Sequence, residues 1–330
     1  MRQFWTSRER NLEKPSADAC EAQKLPLSVS EFLVSTKPPQ RPKMRSPRRK
    51  VITAVEQGRP LIPIKLARDN RFSQLVEVVE PRRNRSELVL APHNIRTFLG
   101  LMEEFRGADR LRRHGLQIRS KLLFCGPPGC GKTVTAEVFA RELGLPLIVA
   151  RLDAIISSFL GETATNIRKV FEAAAEQPCV LFLDEFDALA RARSDGSEHN
   201  ELRRVVNSLL MLIDRYRGVG FLVAATNLEE SLDAAIWRRF DEVIVFDLPS
   251  HREIRRLVEI KLKNFPVSFR LSEKLAGLRG MSYADIERVC DNAIKTSILK
   301  GSKNLIEAEF NFAIREQQRR HAVRERLSPR

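Results

Sequence analysis

The chain has no apolar run approaching the roughly 20 residues that a membrane-crossing helix needs. Its start, Met1-Arg2-Gln3-Phe4-Trp5, has none of the apolar core of a secretory leader, so the expected location is cytoplasmic. Cysteine is scarce and unpaired in pattern. The five residues (20, 125, 130, 179 and 290) are odd in number and form no C-x-x-C, which argues against a disulfide framework. The five histidines lack ligand spacing, so no zinc is expected. H-E-x-x-H is also absent, and any proteolysis would need a separate partner.

What is present is a basic chain of ordinary globular composition. Apolar residues make up 43% and charged ones 30%, with a net charge of +15. The excess sits mostly in the tails. Residues 1–60 carry 13 Lys and Arg against 6 Asp and Glu, and residues 315–330 carry 6 against 2. Such tails can attract nucleic acid or another anionic partner, although a solvated tail is the plainer reading.

Residues 1–50 show no sustained periodicity and are punctuated by Lys37-Pro38-Pro39, Arg41-Pro42-Lys43 and Ser46-Pro47-Arg48-Arg49-Lys50, the pattern of a disordered basic arm. Residues 51–89 are mixed and read as a linker or N-terminal extension, with Phe72, Leu75, Val76 and Val79 as a short helix or strand. From residue 90 to 249, apolar strands alternate with helices, which implies an α/β domain with a parallel sheet covered on both faces. From 250 to 325 the strands stop. Four helices are expected there (Ile254 to Leu262, Ser272 to Leu278, Tyr283 to Leu299 and Glu307 to about Arg324), and residues 326–330 form a tail.

The α/β region carries Gly126-Pro127-Pro128-Gly129-Cys130-Gly131-Lys132-Thr133, a match to G-x-x-x-x-G-K-[ST]. Its context is right. The apolar run Lys121–Cys125 precedes it as a buried strand, and Lys132 to Leu143 follows with helical spacing and no Gly or Pro. The glycines let backbone N–H groups approach phosphate oxygens, and the following helix turns its positive end toward them. Lys132 would reach the β- and γ-phosphates, and the Thr133 hydroxyl would ligate Mg²⁺. A second strand-like run, Val180-Leu181-Phe182-Leu183, ends in Asp184-Glu185. At the carboxyl end of a parallel strand, Asp184 would face the Mg²⁺, and Glu185 would accept a proton from attacking water.

With these motifs in hand the chain resembles the AAA family of ATPases over about residues 90–315. The resemblance implies a P-loop NTPase doubly wound sheet followed by a small helical lid, with ATP and Mg²⁺ as ligands. Phe221-Leu222-Val223-Ala224-Ala225-Thr226-Asn227 resembles the strand ending in the sensor-1 asparagine, so Asn227 would orient the water or touch the γ-phosphate. Leu232 to Asp241, with Arg238 and Arg239, is similar to the arginine-finger segment that reaches a neighbouring subunit's ATP. Adjacent arginines without a Pro-Gly spacer match the short form of katanin- and spastin-like members and small bacterial AAA proteins. Which arginine is the main finger stays open at this point. Gly280-Met281-Ser282-Tyr283-Ala284-Asp285-Ile286 is similar to the start of the lid helix, with Ala284 where other groups carry a lid arginine. The adenine pocket is expected near Gly115, Leu116, Gly280 and Ala284. Ser157-Ser158-Phe159-Leu160-Gly161-Glu162 resembles the pore loop of remodellers, and Arg191 and Arg193 suggest a second loop. Cys130, in the glycine loop, reads either as an oxidation-sensitive residue or as an inert filler.

The resemblance implies a homo-oligomeric ring, a hexamer in the family, that drives remodelling or unfolding of a protein substrate threaded past Phe159. The alternatives are a nucleic-acid-associated ATPase or loader, and an adaptor-dependent ATP switch that regulates a partner.

Overall fold

The structure, a computed structural model, describes residues 76–152, 163–187, 200–227 and 234–327. The basic arm, Phe159 and Leu160, Arg191 and Arg193, and Leu232 and Asp233 lie outside the described residues.

The strands are β1 (Val76–Val79), β2 (Lys121–Cys125), β3 (Leu147–Arg151), β4 (Val180–Asp184), β5 (Phe221–Thr226) and β6 (Glu242–Val245). They join in one sheet of order β1-β3-β4-β5-β2-β6. All neighbours are parallel except β1, which runs antiparallel to β3. The helices of this part are α1 (Pro92–Arg106), α2 (Ala108–Arg113), α3 (Lys132–Leu143), α4 (Thr163–Glu176), α5 (Asn200–Arg215) and the short α6 (Ala234–Trp237).

Strand side chains alternate between two buried layers, as the pleat requires. Leu122 and Phe124 of β2 pack with Phe98 and Phe105 of α1 and Phe139 of α3, whereas Leu123 and Cys125 pack with Phe171 of α4 and Leu209 of α5. The first layer is built on phenylalanine. Phe98 meets Phe124 edge-on at 5.8 Å, and Phe139 meets Phe221 edge-on at 4.8 Å between ring centroids. Truncating the fully buried Phe124 to Ala would cost about 3–5 kcal/mol and open a cavity directly behind the glycine loop.

The sheet begins earlier than the boundary at residue 90 expected from the sequence, because β1 adds an antiparallel edge. The chain after β1 is tied down as well, with the Arg82 and Arg83 amides donating to Glu137 Oε1 of α3 at 3.1 and 3.2 Å. Three segments were not legible as helices in the sequence: α2, α6, and a single 3₁₀ turn over Arg85–Glu87.

The C-terminal part holds α7 (His251–Leu262), α8 (Tyr283–Leu299) and α9 (Glu307–Leu327) around a core of its own that includes Leu257, Val289, Phe310 and Ile314. The helix expected over Ser272 to Leu278 is instead two 3₁₀ turns, Leu271–Glu273 and Leu275–Leu278. Gly277 weakens an α-helix there, and the fully buried Leu275 and Leu278 are three apart, the 3₁₀ repeat. Among the described residues no helix is long and apolar enough to cross a membrane.

Candidate nucleotide site

β2 lies between β5 and β6, while the chain leaving it crosses to β3, so the crevice of a doubly wound sheet falls at its carboxyl end. The loop there takes the conformation its glycines permit. Gly126, Gly129 and Gly131 all have positive φ (140°, 77° and 89°), and α3 starts at Lys132 with its first N–H groups facing the loop. A Cβ on Gly126 would sit 2.0 Å from the Phe246 carbonyl oxygen, so that position has no room for any other residue.

Lys132 is 8% exposed and donates from Nζ to Gly126 O (2.5 Å), Pro127 O (3.0 Å) and Asn227 Oδ1 (2.8 Å). Burial pushes its pKa down, partly offset by Cys130, Asp184 and other nearby groups. An ammonium held in this way by neutral oxygens gains more from an incoming polyphosphate than an exposed one would. Asp184 ends β4 half-buried. Burial pushes its carboxyl up, against the pull of the Glu185 amide, Lys132 and Arg151. The Glu185 amide donates to Asp184 Oδ1 at 2.9 Å.

Glu185 itself has φ of 54°, the one non-glycine residue with positive φ among those described. Left-handed backbone costs a side-chain-bearing residue about 1–2 kcal/mol and collects at functional sites. The next turn explains why it persists: Phe186 is fully buried and its amide donates to Ala225 O at 2.8 Å, while the Asn227 amide lies 3.5 Å from Asp187 Oδ1. Asp187, 4% exposed, was not singled out by sequence reasoning.

Between the sheet and the C-terminal helices runs a cleft of about 330 Å³. Its polar lining includes Gly129, Gly131, Lys132, Thr133, Asp184, Glu185 and Asn227. Its apolar lining includes Leu88, Val89, Leu257, Tyr283 and Ala284, and Glu87 and Glu287 line it too. A cation and carboxylates in one cleft with an apolar wall suit a nucleoside polyphosphate. Gly126, Pro127 and Cys130 belong to the loop without lining the cleft, and Gly280, Gly115 and Leu116 do not line it either. The apolar wall comes instead from Leu88, Val89 and Leu257, which carry no motif, and from Tyr283 and Ala284 of the lid-helix segment. The one local signal was Asn84-Arg85-Ser86-Glu87, a capping box in the structure.

No group of three or more His, Cys, Asp and Glu among the described residues could hold a metal by itself. Thr133 and Asp184, both in the cleft, fit Mg²⁺ as that ion is commonly bound, by one or two protein oxygens together with substrate phosphates and water. Cys130 is 3% exposed and burial pushes its thiol up, which favours inert packing over reactivity.

The C-terminal helices touch the loop directly. The Ala284 amide donates to Gly129 O at 3.1 Å, and a Cβ on Gly129 would fall 2.7 Å from Ser282 Oγ. Ser282 caps α8, and Asp285 receives hydrogen bonds from Ser282 Oγ (2.7 Å) and Gln317 Nε2 (2.7 Å), with His321 Nε2 at 2.9 Å.

Arg238 and Arg239 follow α6, and neither lines the cleft. They are not equivalent. Arg239 is bonded within its own subunit to Asp214 (3.1 Å) and to the Ala235 carbonyl, whereas the Arg238 side chain is exposed and has no partner among the described residues.

Residues 122–248 match the ATPase family associated with various cellular activities (AAA). A protein of Sinorhizobium fredii (strain NBRC 101917 / NGR234), called an uncharacterized AAA family ATPase y4kL, is 58% identical over 270 residues, 82% of this chain and 81% of its own length. The chain belongs to the AAA family of ATPases.

Two less similar relatives are longer proteins. An ATP-dependent zinc metalloprotease FtsH 3 of Sphaerobacter thermophilus is 29% identical over 74% of this chain and 49% of its own length. An ATP-dependent zinc metalloprotease FtsH of Halothermothrix orenii is 31% identical over 65% of this chain and 35% of its own. The chain thus spans about half and about a third of those two proteins. As an AAA ATPase it is an ATP hydrolase, and its mixed α/β sheet with helices on both faces is the P-loop NTPase fold.

Proposed function

We propose that this AAA ATPase uses Mg²⁺-dependent ATP hydrolysis to remodel or unfold a protein substrate, working as a homo-oligomeric ring. The observation that carries the assembly is the pair of arginines. Arg238 is exposed, unpartnered among the described residues and absent from its own cleft, so its charge is available to another subunit's nucleotide.

In this reading the loop amides and Lys132 hold the β- and γ-phosphates, and the apolar wall of Leu88, Val89, Leu257 and Tyr283 takes the base. Thr133 and Asp184 would hold Mg²⁺, which would supply charge neutralisation at the phosphate oxygens. Glu185 takes the proton of a water that Asn227 orients. That water attacks the γ-phosphorus while the bond to the β-phosphate oxygen breaks. Arg238 from the neighbour stabilises the charge developing in the transition state, and Arg239 fixes the segment that carries it. The Gly129 carbonyl is bonded to the lid at Ala284, so a shift of the loop on loss of the γ-phosphate would reach the lid. Phe159 and Leu160, by resemblance to a pore loop, would grip the substrate with apolar contact that tolerates many sequences.

The test compares ATP turnover with a permanently unfolded protein and with DNA. Stimulation by the unfolded protein that disappears in Phe159→Ala, with basal turnover and melting temperature unchanged, is expected. Stimulation by DNA alone would replace the reading with a nucleic-acid-associated ATPase. A melting temperature lowered by the equivalent of about 3–5 kcal/mol would make Phe159 a packing residue.

A further inference from the structure

The C-terminal helix outruns the core it is built on. Phe310, Ala313, Ile314 and Gln317 of α9 are buried, but after Gln317 every described side chain is exposed or half-exposed. One side of the helix is held. Gln317 and His321 both bind the Asp285 carboxylate, and Gln318 Nε2 donates to Gly277 O at 3.2 Å. At about 100° per residue, the side away from these anchors carries Phe312, Arg315, Glu316, Arg319, Val323 and Arg326.

All but the half-exposed Glu316 are exposed, Phe312 to 53% and Val323 to 48%. The three guanidiniums fall within about 40° of one another around the helix. None of them has an ion pair or hydrogen bond among the described residues. Around the helix Phe312 and Val323 fall within about 20° of each other at one edge of this side, with the three arginines beside them.

We propose that this stripe of α9 is a docking surface for an acidic amphipathic helix of a partner protein. Charge selects the occupant. The chain's own N-terminal residues 1–60 carry 13 basic against 6 acidic groups, and a second copy's α9 carries the same arginines, so both would be repelled. A phosphodiester backbone would satisfy the arginines but leave Phe312 and Val323 idle in water. An acidic helix with its own apolar seam satisfies both, burying Phe312 and Val323 while its flanking carboxylates meet Arg315, Arg319 and Arg326. The surface does not depend on how the nucleotide cleft is read.

The probe is a synthetic three-heptad peptide with a leucine seam flanked by glutamates, labelled for fluorescence anisotropy. Its controls are the same peptide with lysines in place of the glutamates and a DNA duplex of about two turns. The full chain should bind the acidic peptide and not the basic one. The triple variant Arg315→Glu/Arg319→Glu/Arg326→Glu should lose the acidic peptide by at least about tenfold and gain the basic one, since three attractive charge pairs become repulsive. Phe312→Ser/Val323→Ser should weaken the acidic peptide while leaving the salt dependence of what binding remains. Because all five positions are exposed, ATP-dependent melting should stay as in the parent. Failure of the acidic peptide to bind, equal binding by either variant, or loss of DNA binding alone in the triple variant would each overturn the proposal.

Discussion

Lys132 and Glu185 are each held in the cleft at a physical cost, and the costs differ in kind. For Lys132 the cost is desolvation, which an incoming phosphate relieves. ATP at about a hundred times its dissociation constant should therefore raise the parent's stability by about 2.7 kcal/mol, and Lys132→Ala should show no ATP-dependent shift in melting temperature. For Glu185 the cost is a left-handed backbone. Glu185→Gln keeps that geometry and the ATP-dependent shift, and should slow single-turnover hydrolysis by about a hundredfold or more. A variant that turned over at the parental rate would remove Glu185 from the proton path. The thiols stand apart from this chemistry. Cys125, Cys130, Cys179 and Cys290 are buried, and burial pushes Cys179 and Cys290 up to about 12. A Cys20→Ser chain should thus show no fast-reacting thiol near pH 8 until it is unfolded, and oxidant should leave its ATP binding unchanged.

At the scale of elements, the join between the phosphate loop and α8 is one that two glycines can test. Gly129 and Gly131 both have positive φ, so an alanine at either pays about 1–2 kcal/mol for left-handed backbone. A Cβ at Gly131 meets nothing within 4 Å, whereas one at Gly129 meets Ser282 Oγ at 2.7 Å and Ala284 Cβ at 3.2 Å. Gly129→Ala should accordingly lose about 1–3 kcal/mol more than Gly131→Ala and loosen the lid, seen as faster hydrogen exchange at the start of α8. Equal losses would mean the lid does not bear on the loop. The elements on both sides of this join were legible because local and global signals agreed. Lys132–Leu143 and Tyr283–Leu299 are flanked by glycine and by a Ser-x-x-Asp cap, and the structure returns both helices with those bounds. The wall facing them was not legible. Leu88 and Val89 are two apolar residues in a short connection, and only their meeting with Leu257 and Tyr283, far along the chain, makes them a pocket. Leu271–Leu278 misled for a related reason: its apolar spacing suits a helix of either pitch, and packing under Ile314 decides.

The whole molecule poses the question of what lies beyond one subunit. The adjacent arginines were visible in the sequence, but their difference was not, because it depends on Asp214 at the far end of α5 reaching Arg239. If Arg238 completes a neighbour's site, Lys132→Ala and Arg238→Ala chains should each be inactive alone, for opposite reasons. The first lacks a nucleotide but presents an intact guanidinium; the second binds ATP and meets no external cation. Mixed and allowed to co-assemble, they place some intact clefts beside intact arginines. Random mixing in equal amounts does so at about a quarter of the interfaces of a closed ring. Turnover should reappear on mixing, rise and fall with the ratio of the two chains, and vanish when assembly is prevented by dilution. Arg239→Ala should behave differently, since its bonds lie within one subunit. A lost, partly exposed ion pair lowers stability by up to about 1 kcal/mol. Its effect on turnover should follow from a displaced Arg238, so Arg239→Lys, which keeps a cation beside Asp214, should recover much of it. Full activity of Arg238→Ala on its own would end the argument for a finger. Complementation by Arg239→Ala with an undiminished Arg238→Ala would exchange the roles of the two.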